Sequence, residues 1–279
     1  MISIRAMTVD DLPLVMRLKS IAQWNQLEAD IYRYLALEPE GCFVAEYAGE
    51  AVGTLTVCIF PEEAWIAMVL VDEKMRGKGI GTALMTHALA FIDRRGMAVT
   101  RLDATPMGQP IYEKLGFLPE FTLARYSGVL PPAPPVAGVV PYSGDRLEEV
   151  LALERQVLAI DRRKMLVRML AEHPELGRLI LRDGKLTAFL LARPGARAWQ
   201  IGPCLATVAE DGRLLFADVQ HRLAAQTVYL DIPLANEPAT AMAEQLGLTV
   251  QRNLLRMRRG GTLLTHSPGI WASSGPEKG

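Results

Sequence analysis

The 279 residues include only three cysteines and four histidines. Cys42, Cys58 and Cys204 are far apart and sit in apolar runs, so they spell out neither a disulfide framework nor a thiolate metal site. That usage suits a reducing, cytoplasmic setting. His87, His173, His221 and His266 lack partners at ligand spacing, and no metal is expected. An excess of one charge is missing too. The net charge is -1 and basic clusters are short, which argues against nucleic acid or a membrane surface as partner. No apolar run reaches the length of a bilayer span, and the opening MISIRAMTVDD reads as a charged amphipathic strand, not a secretory leader. What the chain has is apolar content, half its residues, and length enough for one large or two ordinary domains.

The most informative stretch is residues 64–96. A β-suited run, Trp65 to Val71, leads through a charged turn, Asp72 to Met75, into Arg76-Gly77-Lys78-Gly79-Ile80-Gly81. A helical pattern follows, with Leu84, Ala88, Leu89, Phe91 and Ile92 on one face. A glycine-rich turn opening a helix is suited to an anion. Its amides are unpaired, the helix dipole favours negative charge, and glycine permits close backbone approach. Arg76 and Lys78 add positive charge, so the turn reads as a diphosphate site. The dinucleotide fingerprint fails because residue 82 is Thr82, and the P-loop fails because no G-K-[ST] follows.

What remains, R-x-x-G-x-G as Arg76, Gly79 and Gly81, resembles the acyl-CoA-binding motif of the GNAT (Gcn5-related) N-acetyltransferases. Residues 102–117, LDATPMGQPIYEKLGF, resemble the other half of that family's signature, a strand and short helix ending in Tyr-x-x-x-Gly-Phe. The resemblance covers roughly residues 1–128. It implies that Leu70, Val71, Arg76, Gly77, Lys78, Gly79, Ile80, Gly81 and Thr82 hold acetyl-CoA. Tyr112 would then serve as general acid beside the thioester sulfur.

The order of elements agrees with an α/β (α+β) fold of two tandem GNAT-like domains, each a mixed, mostly antiparallel twisted sheet flanked by helices. Residues 1–128 form the first. VLPPAPPVAGVVP, residues 129–141, holds five prolines and no charge and reads as a linker. Residues 142–260 repeat the layout in divergent form, but no second R-x-x-G-x-G follows Trp199-Gln200-Ile201-Gly202-Pro203. Acyl-CoA is therefore expected in the first domain only. Residues 261–279, rich in Gly, Ser, Thr and Pro, read as a mobile tail.

The general base is less well marked. Trp65–Val71 carries no acidic residue where many relatives have a glutamate, leaving Asp103, Glu28 or a water relay. Thr105 stands where the family commonly has asparagine, and Gly108 where alanine is common, so the short helix carrying Tyr112 is expected to be locally distorted. Trp24, Asn25 and Tyr32 are candidates for one wall of an amine pocket, since an aromatic face suits a cation. The leading expectation is an acyl-CoA-dependent N-acyltransferase, monomer or homodimer, acting on a primary amine of a small or amino-acid-like molecule. The alternatives are a CoA-binding regulatory protein without efficient catalysis and a nucleotide-binding protein of another fold.

Overall fold

Ile2 and Ile4 alternate with polar neighbours, and the chain begins as a strand, β1 (Ile2–Ala6). Asp11 then accepts a hydrogen bond from the Thr8 amide at 2.8 Å, closing a single 3-10 turn before α1 (Leu12–Ile21). Pro13 sits in the first turn of α1, where its missing N–H costs nothing, and Leu12, Val15 and Leu18 face inward. Residues 22–27 leave the helix, Gln23 adopts a positive φ of 57°, and α2 (Glu28–Leu37) starts afresh with Asp30 accepting from the Leu27 amide at 2.8 Å.

A hairpin follows, β2 (Cys42–Tyr47) and β3 (Glu50–Ile59), turning through Ala48-Gly49 at φ 53° and 86°. Positive φ at both central residues is the hairpin turn whose twist matches its strands. Next come β4 (Ala64–Val71), α3 (Ile80–Arg94), β5 (Val99–Ala104) and α4 (Gln109–Lys114). The sheet runs β1-β2-β3-β4-β5, antiparallel except at β4–β5. α3 packs on β3 where Gly53 removes a side chain: a Cβ there would meet Leu84 at 3.2 Å and Ile80 at 3.4 Å.

The structure is a computed structural model that describes residues 1–279 as two compact units, Met1–Pro119 with Met257–Thr262, and Glu120–Arg256 with Leu263–Gly279. The division thus falls at Pro119, not at residue 128. Almost all of β6 (Leu118–Val129) belongs to the second unit, where it pairs with β11 (Thr227–Pro233) from Val129↔Thr227 to Leu123↔Pro233. The prolines after Leu130 mark where the chain leaves that ladder, since proline has no N–H to donate. They do not mark the seam between units.

The second unit continues with β7 (Val140–Pro141), α5 (Leu147–Leu158), α6 (Arg163–Glu172), β8 (Gly177–Arg182), β9 (Lys185–Arg193), β10 (Trp199–Ala206), α7 (Ala209–Arg222), α8 (Glu237–Gln245), the part of β12 (Thr249–Gly260) before Met257, and β13 (Ile270–Ala272). Its sheet is β6-β11-β10-β9-β8-β7, with β13 added to β10. The expected mobile tail is instead part of the fold: Ile270, Trp271 and Ala272 are core residues, and Lys278 is fully buried. The short apolar run Ile-Trp-Ala supplies the burial that the surrounding Gly, Ser and Pro conceal in the composition.

Arg125 and Asp231 form a bidentate ion pair inside this unit, both N–O distances 2.7 Å, and Gln200 donates to the same carboxylate at 3.1 Å. Neither side chain is more than 4% exposed. Removing one partner strands the other charge. Asp231→Ala should cost about 3–5 kcal/mol in urea unfolding, while Arg125→Met with Asp231→Leu should recover most of it. A loss below about 1 kcal/mol for the single change would show that the pair is dispensable.

Candidate functional site

The site grows from a defect in β4. Met68 takes φ 52°, and the β3–β4 register slips by one residue between Thr54↔Leu70 and Thr56↔Ala67, a β-bulge. The Thr54 hydroxyl donates to the Met68 carbonyl at 3.0 Å and holds the bulge in place. On its other side β4 pairs with β5 at two positions only, Ala64↔Thr100 and Trp65↔Arg101. Beyond these β4 runs on to Val71 and β5 to Ala104 with no further pair between them, which leaves a gap in the ladder. Asp72 donates its amide to Val52 of β3 at 2.8 Å. Successive strand amides alternate in direction, so the Val71 amide points toward the gap and the Leu70 amide toward β3.

The glycine turn follows directly. Asp72 accepts from the Lys74 amide at 3.1 Å and from Arg17 of α1 at 2.5 Å, which fixes the start of the turn. Hydrogen bonding to Arg17 and to that amide holds the Asp72 carboxyl below the usual range. Gly77 and Gly79 both lie in the left-handed region, φ 77° and 78°, which side chains rarely adopt. Gly79 precedes α3 and has no side chain to cap it, so the amides of Ile80, Gly81 and Thr82 face outward. No atom lies within 4 Å of where a Cβ would sit on Gly77 or Gly79. Lys78 lies over the Tyr47 ring at 4.7 Å, and Arg76 reaches Glu73 at 3.3 Å in an exposed pair. Open space, outward amides and two cations make a cradle that fits a diphosphate.

α4 lies against this cradle. A Cβ on Gly81 would be 3.8 Å from Ile111 of α4 and 3.9 Å from Val71 of β4, so the turn, the end of β4 and α4 converge. Tyr112, the neighbour of Ile111, is buried to 8% exposure and tilts against Phe117 with ring centroids 6.1 Å apart. Gly108 is the residue that permits this. A Cβ at 108 would stand 2.8 to 3.1 Å from the tyrosine ring and hydroxyl, so the glycine gives the ring its place instead of distorting the helix. Burial pushes the Tyr112 hydroxyl up to about 12.

The other expected residues are less concentrated. Asp103 is half-buried on β5, two residues past the last β4–β5 pair. Glu28 opens α2 and is exposed. Trp24 and Asn25 occupy the break between α1 and α2, half-buried and buried respectively, and Tyr32 is 45% exposed. Beside them is a group that the sequence did not flag as functional: Gln26 Oε1 is buried and accepts no hydrogen bond. His87 packs edge-on against Phe43 at 4.7 Å, and burial lowers its pKa. No cluster of three or more His, Cys, Asp or Glu is arranged to hold a metal, and no helix is long and apolar enough to cross a membrane.

Comparison with known proteins agrees in both halves. Residues 9–117 match the Acetyltransferase (GNAT) family and residues 150–270 a second profile, Acetyltransferase (GNAT) domain. The chain is 32% identical over 124 residues to N-alpha-acetyltransferase MAK3 of Arabidopsis thaliana, a match spanning 41% of this chain and 65% of that protein. The chain therefore covers less than two thirds of that relative's length. Among solved structures, a putative acetyltransferase from Pyrococcus horikoshii superposes with a TM-score of 0.83 at 23% identity, over 100% of this chain and 96% of that one. A tandem GNAT protein from the clavulanic acid biosynthesis pathway gives 0.66 at 16% identity, over 94% and 99%. At these identities the structures attest the fold.

The raised pKa of Tyr112 is directly measurable. Tyrosinate absorbance of the wild type minus that of Tyr112→Phe should show one tyrosine ionising near pH 12, above the ordinary value of about 10. Because the folded value is the higher, the hydroxyl's contribution to stability is complete below about pH 10 and is lost as pH rises through 12. A difference titration centred near 10 would mean the ring is solvated.

Proposed function

Because the chain belongs to the GNAT superfamily, as a tandem of two such domains, we propose that its first unit transfers an acyl group from acetyl-CoA to a primary amine. The observation that carries this is the convergence at Gly81 of the anion cradle, the free edge of β4 and the helix bearing Tyr112. Acetyl-CoA supplies an activated thioester; the rest is done by groups of this chain. The amides of Ile80, Gly81 and Thr82, with Gly77 and Gly79 giving room and Arg76 and Lys78 giving charge, hold the diphosphate. The Val71 amide, turned into the gap, donates to the thioester carbonyl as charge develops on it; Leu70, its amide engaged toward β3, shapes the strand.

Tyr112 is assigned to the departing sulfur. Moving a proton completely from a phenol near 12 to a thiolate, whose acid lies near 8.5, runs uphill by roughly 5 kcal/mol. Tyr112 therefore acts by donating a hydrogen bond. Asp103, at the border of the gap, is assigned to accept the amine's proton, directly or through water, in preference to exposed Glu28. Trp24, Asn25 and Tyr32 form the acceptor wall, and Gln26 Oε1 is an unfilled acceptor for an ammonium or amide N–H. The likeness to an N-alpha-acetyltransferase supports an α-amino group as the acceptor, on a free amino acid or a peptide.

Gly81 has room for a side chain at ordinary contact distance, so changes there test the cradle without unfolding it. Gly81→Asp should weaken coenzyme A binding ~100-fold or more in calorimetry, equivalent to ~2.7 kcal/mol, while Gly81→Ala changes it little. Unchanged affinity in folded Gly81→Asp would remove the diphosphate assignment.

Kinetics over a panel of α-amino acceptors tests the chemistry. Tyr112→Phe should lower kcat by ~10²-fold with little change in the KM for acetyl-CoA, the signature of an interaction made in the transition state. Asp103→Asn should lower kcat with little change in the KM for acetyl-CoA. Full activity in either variant would take that residue out of the mechanism.

A further inference from the structure

The second unit repeats the parting of parallel strands but fills the gap with itself. β10 and β11 pair at three positions, Trp199↔Val228 to Ile201↔Leu230, and then diverge. Into the opening runs the chain's own segment from Ile270. Its β13 part lies antiparallel to β10 through Cys204↔Ala272 and Leu205↔Ile270. On the opposite side the Ser273 amide donates to the Asp231 carbonyl of β11 at 2.8 Å, and Asn236 Nδ2 to the Ile270 carbonyl at 3.0 Å. The main chain of one strand thus answers both parted edges.

Side chains fix its register. Trp271 is 1% exposed, stands edge-on to Phe216 at 5.2 Å, and lies where a Cβ on Gly212 of α7 would overlap its indole. A Cβ on Gly202 would likewise overlap the Ser273 carbonyl. Arg193 donates to the Ser274 carbonyl at 3.0 Å and to Glu277 at 2.8 Å, Lys278 pairs with Glu277, and Arg162 donates to the Lys278 carbonyl at 2.8 Å. The void left beside the segment, bounded by Pro203, Leu205, Ile270, Ala272 and Ser273, is about 10 Å³, room for a single water.

The helix start that would receive a diphosphate is wrong for one. α7 carries Glu210 and Asp211 in its first turn, and buried Asp211 is engaged by Arg182 at 2.6 Å and Thr187 at 2.6 Å. Glycine is present at 202 and 212, but both make room for the segment and not for a phosphate. The family match to this half ends at Ile270, where the segment begins.

We propose that the second unit is a peptide-binding site built from a disused acyl-CoA cleft, and that its ligand is the chain's own segment Ile270–Lys278, which excludes coenzyme A from that unit. The recognition is strand addition, with an indole pocket for Trp271 and an Arg193–Arg162 pair for the acidic and carbonyl groups that follow.

A site-specific protease sequence inserted between Leu263 and Leu264, where Leu264 is exposed, permits cutting of the folded full-length chain. The severed segment should stay bound through gel filtration at micromolar concentration and exchange with a labelled synthetic peptide of residues 264–279. A peptide carrying Trp271→Ala should compete ~100-fold less well, as expected for an emptied aromatic pocket. Hydrogen exchange on the uncut wild type gives a second reading, with the Ser273 amide as protected as those of β10. Three results would each overturn the proposal: departure of the severed segment with no change in melting temperature, a Ser273 amide exchanging as fast as Thr262–Leu264, or a second coenzyme A bound per chain while the segment remains in place.

Discussion

Two parallel strands that pair briefly and then part leave polar backbone groups along both edges, and such groups cannot stay buried without partners. Everything of interest in this protein follows from how that demand is met. In the first unit the parting is aided by the Met68 bulge, which re-aims the end of β4 while Thr54 fastens it to β3. The strand edge then opens beside a helix start whose amides are also unpaired. In our proposal a ligand with a carbonyl at one end and a diphosphate further along answers both. In the second unit a peptide answers the same geometry, because a strand is the other object able to pair with two edges at once.

Burial divides the work within the first unit. The glycine turn stays open and exposed, whereas Tyr112 is sunk between Phe117 and Gly108. Burial keeps its hydroxyl protonated at any ordinary pH and orients it through packing. Arg17 on Asp72 supplies the remaining restraint, tying α1 to the start of the turn. Positioning thus comes from packing and a few local polar contacts.

Much of this was legible in the sequence, and the exceptions have physical causes. Gly77 and Gly79 were legible as a glycine turn because both take a positive φ that side chains rarely adopt, and its reading as a diphosphate site is our proposal. Tyr112 was legible from its spacing to Gly116-Phe117. Met68 was not: a methionine at positive φ carries no mark in a β-suited run, and the bulge is imposed by the neighbouring strand. Gly108 read as a lost alanine, since the ring that needs its space lies one turn further on. Residues 129–141 read as a linker between domains, yet strand pairing places β6 in the second unit. The segment after Gly260 read as mobile because its Gly, Ser and Pro outweigh three apolar residues in composition. In packing, those three residues decide its place.

The assignment of Met257–Thr262 to the first unit has a consequence for biosynthesis. The Gly261 amide donates to the Ala98 carbonyl at 2.9 Å, beside the start of β5, and Arg259 holds Asp93 at the end of α3. As the chain leaves the ribosome, residues 1–119 emerge before residues 257–262 and lack these contacts until that later stretch has been made. The half that carries the glycine cradle therefore begins folding early and finishes late, waiting for a strand end encoded more than a hundred residues downstream.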